Sequence, residues 1–243
     1  MTLKIVAIIQ ARMNSSRLPG KVLLPLKELP VLSWLMNRCS SCSLIDRIII
    51  ATTTDPSNDP IAEMYPYSTF RYEGDEDDVI GRVLAAAKYT KAVIIVDITG
   101  DCPMADPRHI ERMIDILTDR KVDYVSNCIE RTWPDGLDIQ VYWTKALESC
   151  IALFHPKQHA GWNIAQHPEV FQTLNWPAPK RFHWPELGLT LDTPEDYQLL
   201  QILFEVFGET PTFSVETVME YLRNNPHLVE INKNVKRKVP EEG

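Results

Sequence analysis

The chain has 243 residues, 44% hydrophobic and 24% charged, with a formal net charge of −8. That length suits one large α/β domain with a well-buried core, and the acidic balance excludes a sequence-independent nucleic-acid binder, which needs a broad basic face. No apolar run approaches the roughly 20 residues that span a bilayer, and no signal-peptide pattern precedes the first strand, so a cytoplasmic protein without a membrane partner is expected.

In chain order, residues 4–9 form an apolar, β-branched run read as the first strand. It empties into a loop, Gln10 to Lys21, that carries Arg12, Arg17 and Lys21 with two serines and Gly20. Three cations at the carboxyl end of a first strand suit a polyphosphate, because open α/β sheets bind ligands in that crevice. The loop is not a P-loop: Ser15 stands where its first glycine belongs, and Val22 replaces the Ser or Thr after Lys21. Its single glycine also fails the dinucleotide fingerprint, so side-chain cations are expected to hold the phosphates. Gln10 and Ala11 join them as candidate nucleotide contacts.

A helix is expected over 30–43, a second strand over 47–52, and a third over 92–98 behind a helix from about Asp77 to Lys88. Cys39 and Cys42 have metal-ligand spacing, but no second pair accompanies them, and two buried thiols are expected. Five cysteines, odd in number and widely spread, argue against a disulfide framework. Thr52, Thr53 and Thr54 follow the second strand and could hydrogen-bond a base or ribose, or serve as turn residues. Asp75 and Asp77 have the Asp-x-Asp spacing of metal-dependent glycosyltransferases, yet they precede a helix, where acids stabilise the amino end. Arg82, one turn later, is a candidate ligand contact. Asp97 lies inside a buried strand and needs a partner that the sequence does not identify.

Past the third strand, Gly100 permits a tight turn and Asp101 can reach the crevice. A helix over 107–119 and a short strand over 122–126 follow. Residues 131–138 are turn-rich, and Trp133, Asp135 and Asp138 make a sugar platform by composition alone. A strand is expected over 139–143, and residues 155–186 read as an irregular, aromatic-lined segment containing His159 and His183, neither with a nucleophile pattern. A late strand is expected over 187–191, then helices over 194–207 and 214–224, then a flexible charged tail over 232–243. Thr193 is a good N-cap, Pro194 suits the first helical position, and Glu195 and Asp196 favour the dipole. That account leaves Asp192 unexplained. Asp101 and Asp192 together could hold one Mg²⁺, a hard cation that takes carboxylates, waters and phosphate oxygens. Near-continuous apolar strands alternating with helices indicate an α/β fold with a mainly parallel sheet.

The segment Ile9 to Leu26 resembles the opening of the cytidylyltransferases that activate acidic sugars, among them the CMP-Kdo and acylneuraminate synthetases. It is most similar to their spore-coat polysaccharide synthesis protein F branch. Gly74–Arg82, Ile98–Pro103, Pro134–Asp138 and Leu189–Tyr197 match in the same order, so the resemblance spans nearly the whole chain. It implies a single nucleotidyltransferase domain over 1–243 of three-layer α/β/α, nucleotide-diphospho-sugar transferase-like form, with a mostly parallel mixed sheet. It further implies a homodimer that joins CTP to a sugar acid, with Mg²⁺, and releases pyrophosphate for surface polysaccharide synthesis. Phosphate-binding and catalytic positions fall on Arg12, Arg17 and Lys21, and the metal aspartates on Asp101, itself catalytic, and Asp192. Thr52 and Arg82 remain nucleotide contacts; Asp135, Asp138 and His159 face the sugar. One stretch departs: of a Glu-His-Val-Thr-Pro-Tyr segment, Gln158 to Asn163 keeps only His159. Two other classes stay open, a glycosyltransferase using Asp75 and Asp77, and a non-catalytic nucleotide-binding protein.

Overall fold

The computed structural model describes residues 3–155 and 159–237. Its strands are β1 (Ile5–Gln10), β2 (Pro25–Leu26), β3 (Leu29–Pro30), β4 (Arg47–Thr53), β5 (Thr69–Tyr72), β6 (Ile94–Thr99), β7 (Tyr124–Ser126), β8 (Gln140–Trp143) and β9 (Thr173–Asn175). Its helices are α1 (Val31–Ser40), α2 (Asp59–Met64), α3 (Val79–Thr90), α4 (Pro107–Arg120), α5 (Thr144–Phe154), α6 (Ala160–Ala165), α7 (Pro194–Phe207), α8 (Val215–Asn224) and α9 (Pro226–Val229).

Seven strands form one sheet in the order β5-β4-β1-β6-β8-β7-β9, while β2 and β3 pair as a separate hairpin. All pairings in the large sheet are parallel except those of β8, which runs antiparallel to both β6 and β7. The sheet is thus mixed and mostly parallel. Side chains alternate across it: Ile5, Ala7 and Ile9 of β1 pack with Leu32, Leu35, Ile110 and Met113 from α1 and α4. Val6 and Ile8 pack on the other face with Val83 and Ala87 of α3 and Leu147 of α5. These are the three layers. A further apolar cluster, with Leu26, Trp34, Leu199, Leu203 and Val218, seats α7 and α8 against α1.

Three sequence expectations are corrected. Residues 187–191 do not form a strand; the segment makes a single bridge, Gly188 to Asp135, and its other backbone bonds go to loops. Residues 155–186 are less irregular than expected, since they contain α6 and β9. Thr52 lies within β4, which runs one residue beyond it. No helix among the described residues is long and apolar enough to cross a membrane.

Candidate active site

The carboxyl ends of β1 and β6 lie side by side, joined by Gly100 N–H donating to Gln10 O at 2.7 Å. The basic loop folds back on itself there: Gly20 adopts φ 70°, which glycine tolerates best, and its N–H donates to Met13 O at 2.8 Å. Lys21 therefore turns inward at the start of a short 3₁₀ turn and is only 8% exposed.

The Lys21 ammonium sits between two carboxylates, 2.6 Å from Asp101 Oδ2 and 2.7 Å from Asp192 Oδ1. Arg17 approaches the other oxygen of Asp192 at 2.8 Å. Burial works against the lysine charge, but the two carboxylates outweigh it and hold the Lys21 pKa above its ordinary value. Burial likewise opposes the Asp101 charge, and Lys21 outweighs that and holds the carboxyl below its usual range. The two aspartates are far apart in sequence yet their segments are stitched together, Leu191 N–H donating to Asp101 O at 2.9 Å. Thr193 is the expected N-cap of α7, and Asp196 completes a capping box with it.

Asp196 does more than cap. Fully buried, it accepts from Asp192 N–H at 3.1 Å, from Thr193 N–H at 3.0 Å, and from Asn232 and Arg237 at 2.8 Å each. Residues 232–237 of the charged tail thus run back to the site, and Arg17 also donates to Lys236 O at 3.1 Å.

Arg17, Lys21, Asp101 and Asp192 line one cleft of about 430 Å³ with Gln10, Ala11, Arg12, Arg82, Asp135, Asp138 and His159. Arg12 is half-exposed at the rim, 3.8 Å from Asp77 and 3.9 Å from Glu76. Arg82 is 4% exposed, donates to Glu76 O at 2.8 Å, and keeps a buried Nε with no hydrogen-bond partner among the described residues. Burial, with Arg12 next, lowers the Arg82 pKa. Asp97 finds the partners the sequence could not name: Gln10 Nε2 donates to it at 2.6 Å and Tyr142 Oη at 2.8 Å. Thr52 stands apart, wholly buried and not among the residues lining the cleft.

The Asp-x-Asp pair does not converge. Asp75 accepts from Asp77 N–H at 3.0 Å within its own turn, while Asp78 caps α3 through Gly81 N–H. Only Asp77 of the pair reaches the cleft rim. Capping is therefore real, but it is done by the residue after the pair.

At the far wall, Arg131 grips Asp138 with two bonds of 2.8 and 2.6 Å and stands 3.5 Å from Asp135. Burial and then the neighbouring Asp138 push the Asp135 carboxyl up to about 6. Gln140 and Trp162 complete this wall, and sequence reasoning missed both, along with Arg131. Trp133 is corrected: it is 1% exposed and packs against His109 and Trp176 in the core, so it offers no face to a sugar. Gln158 lies outside the described residues.

The donor set of Asp101 and Asp192, two carboxylates close enough to share one ammonium, fits a hard divalent cation. The five cysteines are unpaired, with Cys39 and Cys42 buried as expected.

Residues 6–133 match the family model described as Cytidylyltransferase. The chain is similar to the spore coat polysaccharide biosynthesis protein SpsF of Bacillus subtilis (strain 168), at 32% identity over 91% of this chain and 95% of that protein. In three dimensions it is similar to a cytidylyltransferase from Leptospira borgpetersenii serovar Hardjo-bovis, with a TM-score of 0.87, 27% identity, and 98% and 100% of the two chains covered. It also shares a fold with a CMP:2-keto-3-deoxy-manno-octonic acid synthetase solved with CTP, at a TM-score of 0.61, 17% identity, and 84% and 99% coverage.

Proposed function

The chain belongs to the cytidylyltransferase family and is a nucleotidyltransferase, and from that premise we propose that it transfers CMP from CTP to a sugar hydroxyl with Mg²⁺. The hydroxyl oxygen attacks the α-phosphorus in line and gives up its proton to solvent, the bond from that phosphorus to the bridging oxygen breaks, and pyrophosphate leaves. The observation that carries this reading is the Asp101–Lys21–Asp192 arrangement with Arg17 beside it, all opening on one cleft.

Asp101 and Asp192 would hold Mg²⁺, which supplies charge neutralisation at the phosphate oxygens and orients them. With both carboxylates so engaged, the Lys21 ammonium would be free to bind phosphate. Arg12, Arg17 and Arg82 would hold the triphosphate and stabilise the charge growing on the leaving pyrophosphate. Little covalent help is needed; most of the barrier reduction comes from holding the two reactants in register. Gln10 and Ala11 border the nucleotide, and Asp135, Asp138 and His159 the sugar. We read the chain as one such domain, placed in the cytoplasm with its CTP supply, acting as a homodimer in polysaccharide biosynthesis.

The test is pyrophosphate release by the pure protein given Mg²⁺, each of four nucleoside triphosphates, and a panel of sugars. Release that requires CTP and a sugar supports the reading. Consumption of a nucleotide sugar without pyrophosphate would replace it with glycosyl transfer.

A further inference from the structure

Resting on that reading, we infer that Arg237 is a positioning residue for the transfer: with Asn232 it ties the tail of the chain to the Asp192 loop and to Arg17. Asp196 presents its two carboxylate oxygens to different parts of the chain. Oδ2 accepts from Asp192 N–H, Thr193 N–H and Thr193 Oγ1, all on the loop that brings Asp192 to the cleft. Oδ1 accepts from the tail instead, from Asn232 Nδ2 and Arg237 Nη2 at 2.8 Å each. A carboxylate is a rigid plane, so donors that hold one oxygen fix the direction of the other. The tail thereby sets where Oδ2 stands, and Oδ2 anchors the Asp192 backbone.

The same tail reaches the phosphate side of the cleft. Arg17 donates from Nη1 to Lys236 O at 3.1 Å, while its Nη2 pairs with Asp192 at 2.8 Å. The planar guanidinium is thus held at two corners, one by a cleft aspartate and one by the carbonyl next to Arg237. Anchoring Arg237 on Asp196 is what keeps that carbonyl in place.

The placement rests on packing as well as on charge. Leu228 sits in the apolar cluster that seats α7 and α8, so the tail sets out from the core. Asn232 is 3% exposed and also donates to Gly188 O at 3.0 Å. Gly188 leaves room for the return, since a Cβ there would run into the Arg237 guanidinium. Arg237 is not among the residues lining the cleft, so it acts through Asp196 and the tail and not on substrate. Its Nη1 is buried with no hydrogen-bond partner among the described residues. An unpaired buried donor subtracts from the stability that the bond to Asp196 adds, so removal of the side chain is expected to show in turnover more than in folding.

The test compares pyrophosphate release from CTP, Mg²⁺ and an accepted sugar by wild type, Arg237→Ala and Arg237→Lys, at a temperature where circular dichroism shows wild type fully folded. A displacement of about 1 Å in a reacting group costs about 10²-fold, so kcat of Arg237→Ala is expected to fall at least tenfold, with the acceptor KM within twofold. CTP binding without acceptor, read by calorimetric titration, is expected to weaken at least threefold. Arg237→Lys, which keeps a cation and a donor for Asp196, is expected to lie between the two. Lys233→Ala, which removes a tail charge paired with Glu230 on the surface, is expected to match wild type. Added to Arg17→Ala, the Arg237→Ala change is expected to slow turnover less than threefold further, because residues that act on one group are not additive. An unchanged kcat, fully multiplicative effects, or a change confined to the acceptor KM overturns the inference and leaves cytidylyl transfer standing. An unfolded Arg237→Ala protein also overturns it, because the role would then be one in folding. No release by wild type with any sugar overturns the transferase reading and this inference with it.

Discussion

Replacing Asp196 by alanine removes a carboxylate that is fully buried and that five donors address: Asp192 N–H, Thr193 N–H, Thr193 Oγ1, Asn232 Nδ2 and Arg237 Nη2, at 2.8 to 3.2 Å. Each donor left buried and unpaired costs roughly 1–3 kcal/mol, but water entry makes the sum less than additive. Taking one partner from a buried ion pair costs about 3–5 kcal/mol, and we take about 4 kcal/mol for the whole change. For a chain of this size each kcal/mol moves Tm by roughly 2–4 °C, so a fall of about 8–16 °C is expected in a calorimetric scan. Pyrophosphate release should fall as well, because the Asp192 backbone loses its anchor. Asp196→Asn, which keeps the shape, should lie between the two in both measurements. A Tm within about 2 °C of wild type, on that same scale, would refute the reasoning.

Gly136→Ala should lower the urea midpoint by the equivalent of about 1–3 kcal/mol, since it combines φ +97° with an overlap at Thr190. Trp162→Ala should raise the acceptor KM with little change in Tm, whereas Trp133→Ala, at a residue 1% exposed, should cost about 3–5 kcal/mol of stability. The Glu216 carboxyl is lowered to about 2, chiefly by its hydrogen bond with His109. Its folded pKa is below the unfolded one, so its contribution is present above about pH 4.5 and is lost as pH falls towards about 2. Urea midpoints across that window should therefore drop less for Glu216→Gln than for wild type.

The central strands were legible because their apolar runs are continuous: β1, β4 and β6 are buried on both faces and lie close to where the β-branched residues place them. The two aspartates of the cleft were legible for opposite reasons. Asp101 follows a strand and a glycine, and Asp192 is what remains after the cap of α7 is explained. The same logic hid Asp196, since favouring the helix dipole already accounts for an acid there and its second set of partners, Asn232 and Arg237, lies 36 and 41 residues further along the chain. Edge strands β5 and β9 have only four and three residues, too short for periodicity to register. Residues 187–191 have the apolar content of a strand but exchange their backbone bonds with turns, a choice made by tertiary contacts alone. Composition could not say which tryptophan faces the cleft, and it favoured Trp133 over Trp162. Thr52 was placed at a strand end one residue too early.

The most direct test compares pyrophosphate release from CTP, Mg²⁺ and an accepted sugar by the wild-type protein and by Asp101→Asn. Losing one of the two carboxylates proposed to hold the metal beside Lys21 should slow turnover by about 10²–10³-fold, the scale seen when one preorganised electrostatic group is removed from a reacting centre. The variant's Tm should remain close to wild type. A rate above about a tenth of wild type, a loss of under roughly 1.4 kcal/mol, would contradict the role given to Asp101 and the site built around it.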